Sequence, residues 1–253
     1  MFIKRPRKRF GQHFLQNDAV ISAIIQAISL KSDDVVIEIG PGRGALTYPL
    51  LKILHHLIVI EVDQDIVSSW HNLNNPKLNI INSDVLKVKF NQWGQQTRLI
   101  GNLPYNISTP LLMHLFNYLN YIKDMHFMLQ KEVVDRICAS PGTKSYGRLT
   151  VMIQAFCDVS NIMDVEPNAF YPEPMVHSAV IRLTPLKKVH IHNKDLLKQL
   201  VAKAFAMRRK TLANNFKGLI SMEYLEKYGL NPKMRPEEVS VQQYITLANN
   251  LNS

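Results

Sequence analysis

The residues best suited to chemistry in this chain are Asn102-Leu103-Pro104-Tyr105, which close an apolar run. An Asn-x-Pro-Tyr turn presents an amide oxygen, main-chain carbonyls without a competing Pro104 N–H, and an aromatic face, all in one loop. Those groups grip a flat heterocycle that carries an exocyclic amine. Such an amine is a poor nucleophile, because its lone pair is delocalised into the ring. If the Asn102 side-chain oxygen and the Leu103 or Pro104 carbonyl accept its N–H bonds, the nitrogen can rehybridise and free the lone pair. This is orientational and electrostatic catalysis, worth roughly 10²–10³ for one well-placed contact. It needs no general base with a strongly perturbed pKa. Tyr105 adds a stacking face, worth about 1–3 kcal/mol against a base.

Upstream lies a glycine turn, Glu38-Ile39-Gly40-Pro41-Gly42-Arg43-Gly44, after its own apolar run. Alone it fits a dinucleotide site, a methyltransferase or a plain tight turn. Two details lean away from nicotinamide. Ala45 stands where G-x-G-x-x-G requires its third glycine, and Glu38 supplies the acid of an acidic-x-Gly-x-Gly-x-Gly pattern. S-adenosyl-L-methionine has no pyrophosphate, so it needs backbone proximity at Gly40 and Gly42 more than a dedicated anion site. Glu61 follows Gly40 by 21 residues, at the end of the next apolar run, where a carboxylate accepts from ribose hydroxyls. Asp84 ends a third run and is either an acceptor for an adenine amine or a helix N-cap. Together the two turns point to methyl transfer from S-adenosyl-L-methionine onto a base amine.

These residues need a frame, and the chain alternates short apolar runs with amphipathic stretches. Strands are expected at 35–39, 57–62, 78–81, 98–100, 125–129 and 178–183. Helices are expected after Asn17 or Asp18, over 45–54 with a kink at Pro49, and over 109–118 and 131–138. This alternation predicts a mostly parallel sheet covered by helices. Glu38, Glu61, Asp84 and Asn102 then fall at the C-terminal ends of strands, where open α/β sheets bind ligands. The stretch 168–174, rich in proline and aromatics, reads as a stiff loop. Beyond 185–194 the pattern turns helical, with Leu196, Leu197, Leu200, Val201, Ala204 and Phe205 on one side and Arg208-Arg209-Lys210 after them.

Composition bounds the partners. The chain has 253 residues, 46% of them hydrophobic, enough for one large domain and a small one. A net charge of +10 and a pI near 9.6 favour a polyanionic partner, nucleic acid before a membrane surface. Cys138 and Cys157 lie in apolar segments without a CxxC and read as buried thiols of a reducing compartment. No run approaches the ~18 apolar residues of a membrane span. The basic start leads into Gly11-Gln12-His13-Phe14 instead of an apolar signal core, so a cytoplasmic location is expected. His190-Ile191-His192 lacks further ligands nearby, and no metal is expected.

The motifs as a set resemble the small-subunit ribosomal RNA adenine dimethyltransferases, the KsgA family. They are Arg9-Phe10-Gly11-Gln12-His13-Phe14-Leu15, residues 38–44, Gly101-Asn102-Leu103-Pro104-Tyr105-Asn106-Ile107-Ser108-Thr109-Pro110, His126-Phe127-Met128-Leu129-Gln130-Lys131-Glu132, Tyr146-Gly147-Arg148-Leu149, 170–178 and 206–212. The resemblance implies a Rossmann-like class I methyltransferase domain over 1–188 with a basic N-terminal arm, then a small α-helical RNA-binding domain over 189–253. It implies dimethylation of the N6 amines of two adjacent adenosines near the 3′ end of small-subunit (16S) RNA. The partners would be that RNA and the pre-assembled small subunit, with the protein itself a monomer. Cofactor contacts carried over fall on His13, Leu15, Gly40, Glu61, Asp84 and Asn102. Acceptor-base contacts fall on Asn102, Leu103, Pro104, Tyr105 and Phe170. Arg208, Arg209, Lys210 and the N-terminal Lys4, Arg5, Arg7, Lys8 and Arg9 are expected to meet phosphates.

The chain departs from the family pattern at His13, where Asn is frequent, at Leu103, where some members have Pro, and at His177, often Asp. The enzyme rival is the large-subunit methyltransferase of macrolide resistance, which shares both turns but matches 126–132 and 205–212 less well. A ribosome-assembly factor without catalysis is a second rival, opposed by the intact Glu38, Glu61, Asp84 and Asn102. A nicotinamide oxidoreductase would need a hydride-acceptor site that the sequence does not offer.

Overall fold

Runs of β-branched residues set the frame. The computed structural model of the chain describes residues 13–188 and 190–251. They form two compact units, one built up to Val134 and from Ser160–Pro185, the other from Asp135–Val159 and the residues from Leu186 on. The first unit holds β1 (Phe14–Leu15), α1 (Asp18–Ile28), β2 (Val36–Ile39), α2 (Thr47–Ile53), β3 (Leu57–Glu61), α3 (Gln64–His71) and β4 (Leu78–Asn82). It continues with β5 (Thr97–Asn102), α4 (Ser108–Leu115), β6 (Ile122–Gln130), the start of α5 (Lys131–Ile137), β7 (Cys157–Val165) from Ser160 on, β8 (Phe170–Tyr171) and β9 (Ser178–Pro185).

The main sheet runs β4-β3-β2-β5-β6-β9-β7. The strands from β4 to β6 are parallel, and β9 is antiparallel to β6. All four residues of β2 are buried, as are the first five of β5. Strand order reverses at β2, whose neighbours β3 and β5 leave it on opposite sides. That reversal opens a crevice at the C-terminal strand ends.

Local signals match the elements. The Asn17 side chain caps α1 by accepting from the Ala19 and Val20 amides, and Ile21, Ile24 and Ile28 bury one face. They join Val36, Leu50, Leu57, Val59, Ile100 and Phe170 in one apolar cluster, each side chain worth about 1.5–3 kcal/mol on burial. Pro49 sits in the first turn of α2, where its missing N–H costs no intrahelical bond, so no kink is needed. At the opposite end of the sheet the guanidinium of Arg98, 4% exposed, bonds Asp34 and Asp124 at 2.8 Å and takes the Ile28 and Ser29 carbonyls. This ties the last carbonyls of α1 to the feet of β5 and β6.

The second unit is mainly helical: α6 (Arg148–Gln154), α7 (Lys194–Ala204), α8 (Leu212–Asn215), α9 (Met222–Lys227) and α10 (Val241–Asn250). Its core includes Leu197, Leu200, Val201, Phe216 and Leu247. The sequence placed 135–159 with the first domain, yet this segment clusters with the C-terminal helices. The reason is packing: α6 lies against α7 and α10, and the buried Tyr146 hydroxyl donates to the Val239 carbonyl at 2.8 Å. Cys157 is buried, which pushes its thiol up to about 12, whereas Cys138 is only half-buried.

Candidate active site

The crevice is built first from the glycine turn. Past β2 the Gly40 N–H donates to the Ile60 carbonyl at 2.9 Å and the Gly44 N–H to the Pro41 carbonyl at 2.8 Å. Gly44 has φ +91°, and a Cβ there would lie 2.6 Å from the Tyr48 ring and 2.7 Å from Trp70, so only glycine fits. From below, the buried Trp70 indole donates to the Gly42 carbonyl at 3.1 Å. From above, Phe14 packs so closely that a Cβ on Gly42 would meet its ring at 3.2 Å. The loop is thus clamped with its backbone toward the cavity that Gly40, Gly42, Glu38 and Glu61 line.

Two carboxylates face this cavity. Burial pushes the Glu38 carboxyl up to about 8, with the neighbouring Thr47 hydroxyl opposing and Glu61 reinforcing the shift. Glu38 Oε2 and Thr47 Oγ1 are both buried without a hydrogen-bond partner. Burial also raises Glu61, against the Val62 and Asp63 amides, which donate to its Oε1 at 2.8 and 2.9 Å. An acid-lined crevice with an unpartnered carboxyl oxygen and a glycine cradle fits a ligand that brings hydroxyl donors and positive charge. S-adenosyl-L-methionine, with its ribose hydroxyls, ammonium and sulfonium, has that chemistry. Asp84 does not line the cavity. Its Oδ1 accepts from Leu86 N–H at 3.0 Å and caps a 3-10 turn, the cap role that the sequence left open.

Asn102 ends β5 on the other side of the same crevice. Its Nδ2 lies 3.0 Å from the His13 carbonyl. A carbonyl only accepts, so the amide nitrogen must face it, and Oδ1 is turned away as an acceptor. The Pro104 carbonyl already accepts from Ile107 N–H at 3.1 Å and Ser108 Oγ at 3.2 Å. Of the two carbonyls left open by the sequence, Leu103 is therefore the better acceptor. The Leu103 side chain is buried, so only its backbone faces the ligand. The half-buried Tyr105 is braced through its hydroxyl, 3.1 Å from Ser178 Oγ, and burial raises its pKa.

The N-terminal motif and the proline-rich loop meet here. β1 pairs antiparallel with β8, Phe14 opposite Tyr171 and Leu15 opposite Phe170. Strand alternation then sends Leu15 and Phe170 into the core, at 4% and 5% exposure, while Tyr171 is 54% exposed. Phe170 belongs to the apolar cluster and not to the cavity wall, which corrects its expected place as a base-stacking face. His13 lies over Tyr105 with ring centroids 5.8 Å apart, and its Nδ1 is 2.7 Å from the Pro172 carbonyl. That carbonyl requires Nδ1–H, so His13 can donate to a cofactor carboxylate only through a protonated Nε2. Sequence reasoning gave no role to Phe14, Trp70 or Ser178. Phe14 and Ser178 sat within quoted motifs, but Trp70 offered no signal apart from the fold.

In the helical unit Arg208, Arg209 and Lys210 are all exposed. They are not equivalent, because the Arg208 guanidinium donates to the Lys144 and Tyr146 carbonyls. The basic residues Lys4 to Arg9 lie outside the described residues. Among the described residues no group of three or more His, Cys, Asp or Glu could hold a metal. Likewise no helix there is long and apolar enough to cross a membrane.

Known proteins carry the same organisation. Solved structures that superpose include a dimethyladenosine transferase from Plasmodium falciparum, with TM-score 0.83 and 27% identity over 93% of this chain and 96% of that one. The 23S rRNA methyltransferase ErmE superposes with TM-score 0.71 at 22% identity, over 95% of this chain and 100% of that one. The sheet and crevice are therefore those of a Rossmann-like class I methyltransferase. In sequence, the Ribosomal RNA small subunit methyltransferase A of Legionella pneumophila (strain Corby) is 53% identical over 247 residues, 96% of each chain. The protein of the same name in Shewanella oneidensis is 50% identical over 250 residues, 96% of this chain and 93% of its own. The Ribosomal RNA adenine dimethylase model matches residues 3–253. A glycine cradle, an acid-lined crevice and an Asn-x-Pro-Tyr acceptor loop on this sheet thus agree with sequence likeness along nearly the whole chain, which belongs to the ribosomal RNA adenine dimethylase family.

Proposed function

We propose that this chain dimethylates the N6 amines of two adjacent adenosines near the 3′ end of small-subunit (16S) ribosomal RNA, using S-adenosyl-L-methionine, and so contributes to small-subunit biogenesis. The observation that carries this is the Asn102 amide, with Nδ2 held by the His13 carbonyl and Oδ1 left as an acceptor in the crevice of the glycine turn.

When bound, the cofactor supplies an electrophilic methyl group. Glu61 keeps Oε1 for two backbone amides and offers its other oxygen to the ribose hydroxyls. Glu38, which burial keeps protonated at neutral pH, sets a carboxyl group beneath the glycine turn, and Asp84, although outside the cavity lining, offers the carboxylate oxygen that does not cap Leu86 to the adenine amine. His13 and Leu15 close the cavity from the N-terminal side. Asn102 Oδ1 and the Leu103 carbonyl accept from the target amine and orient its lone pair, while Tyr105 stacks on the base. Methyl transfer leaves the nitrogen cationic and acidic, and it releases one proton to solvent; after the first transfer one N–H then remains, and either acceptor can hold it. Pro104 stiffens the turn, and its carbonyl locks the start of α4. The exposed Arg209 and Lys210 meet phosphates. The substrate is the pre-assembled small subunit, and a monomer in the cytoplasm acts on it. The large-subunit reading is not favoured, since the relatives of half identity act, by name, on the small subunit.

Mass spectrometry of small-subunit RNA after incubation with protein and cofactor tests this. Dimethyladenosine at two neighbouring positions is expected, and Asn102→Ala is expected to lower turnover about 10²-fold. Methylation confined to large-subunit RNA would refute the assignment.

A further inference from the structure

The Asn102 amide has two nearly isosteric orientations, related by a half-turn about its terminal bond. Only one presents oxygen to an acceptor amine. The neighbour that discriminates between them is a main-chain carbonyl far away in sequence, that of His13, 3.0 Å from Nδ2. In the flipped orientation Oδ1 would face that carbonyl oxygen, two acceptors without a proton between them.

The His13 carbonyl is in turn fixed by its own segment. The His13 ring stacks on Tyr105, 5.8 Å away at 23°, and Nδ1–H donates to the Pro172 carbonyl at 2.7 Å. The next residues pair with β8, and the Gln16 N–H donates to the Ala169 carbonyl at 2.8 Å. We infer that the N-terminal strand is the positioning element for the catalytic amide: the His13 main-chain carbonyl holds Asn102 with its oxygen toward the acceptor base, so orientation depends on β1 being docked on β8. This rests on the proposed role of Asn102, but the coupling itself is independent of the chemistry. Coupling is reciprocal, so Asn102 must also hold β1 in place.

Hydrogen exchange of the peptide spanning His13 to Asn17 tests it from the Asn102 side. Losing the donor in Asn102→Ala should speed exchange at Gln16 about 2- to 10-fold, the effect of one net hydrogen bond. Asn102→Asp keeps the shape but sets a carboxylate against the carbonyl, and should speed exchange more than Ala does, at least about 10-fold. A role that is only shape would give the reverse order. The second arm is Gln16→Pro, which removes the N–H given to Ala169 and replaces no residue that lines the cavity. It should merge or broaden the two side-chain amide proton signals of Asn102 in an asparagine-labelled NMR spectrum, and lower kcat at least about 10-fold with a smaller change in KM for RNA. Equal exchange in wild type, Asn102→Ala and Asn102→Asp would overturn the inference. So would a Gln16→Pro protein with an undocked strand and an unchanged Asn102 amide. If exchange and NMR respond as expected while Asn102→Ala keeps full turnover, the coupling stands and the catalytic role of Asn102 falls.

Discussion

Gly101→Ala tests how tightly the two halves of the crevice are held. Gly101 precedes Asn102 on β5, alongside the end of β2. A Cβ at this position would lie 2.6 Å from the Ile39 carbonyl oxygen and 3.1 Å from the Leu103 side chain. The first contact is with backbone, so no rotamer change relieves it. Going from 2.6 Å to an ordinary 3.4 Å separation requires about 0.8 Å of movement between β5 and β2. That movement carries Asn102 away from the glycine turn on β2. Overpacking of this kind costs about 1–3 kcal/mol of stability. A displacement approaching an ångström between reacting partners costs up to about 10²-fold in rate. Chemical denaturation should therefore show a folded but weaker protein. Single-turnover reactions, with monomethyl- and dimethyladenosine separated by chromatography, should show a loss of about 10- to 100-fold. Wild-type stability and rate in Gly101→Ala would refute the argument that strand spacing sets the distance from donor pocket to acceptor loop.

Glu61→Gln should weaken S-adenosyl-L-methionine binding about 10-fold or more, as expected for a lost charged hydrogen bond, and leave RNA affinity unchanged; titration calorimetry measures both. Neutralising Arg209 and Lys210 should flatten the log–log salt dependence of RNA binding by about 0.7–0.9 per residue. Arg208→Gln, by contrast, should lower the melting temperature, because its guanidinium holds the Lys144 and Tyr146 carbonyls. Buried His126 accepts from Arg182 Nε–H at 2.9 Å, and burial pushes its pKa from 6.5 down to about 4, with Arg182 and Arg98 adding to the shift and Asp124 opposing it. A depressed folded pKa on a base means that the unfolded chain binds more protons between those values. Stability should be intact above pH 6.5 and fall by about 3 kcal/mol as pH drops to 4. Denaturant midpoints that do not change across this window would show that His126 protonates without cost.

Much of the frame was legible because burial on both faces leaves a strong trace. The parallel strands β2 to β6 read as short apolar runs, four of them ended by Gly, Asn or an acidic residue, and Asn17 and the isoleucines of α1 announced their helix. β7 left no such trace, because Asp158, Ser160, Asn161 and Asp164 interrupt its apolar positions on a strand buried only at its ends. β1 and β8 are two residues each and exist only through each other, so neither segment could show periodicity. Phe170 was misplaced for the same reason: an aromatic in a proline-rich loop suits a stacking face until a pairing register turns it into the core. The segment 135–159 was given to the wrong side because its burial comes from helices much later in the chain. Asp84 and Arg208 show the limit of reading charge by position. Arg208 already holds two backbone carbonyls, and Asp84 gives one carboxylate oxygen to the Leu86 N–H and keeps only the other for a ligand.

The site makes sense as three segments that secure different degrees of freedom. The register of β2 against β5, Glu38 opposite Ile100, brings Gly40 level with Asn102, so that a Cβ on Gly40 would lie 3.9 Å from the Asn102 carbonyl. This fixes the distance between the two turns through rigid strands. The loop of Leu103 to Tyr105 supplies acceptors but cannot fix the rotation of a side-chain amide about its own bond. That last freedom is removed from outside the main sheet, by the carbonyl of His13, which precedes a strand that among the described residues pairs with β8 alone. Separating the tasks this way has a physical consequence. A two-residue strand pair is far less stable on its own than the buried parallel sheet, so the distance between the turns is permanent while the orientation of the amide can be lost by local undocking alone. Substitutions in the sheet should therefore lower stability and turnover together, and substitutions in β1 or β8 outside the core should lower turnover while leaving global stability nearly unchanged.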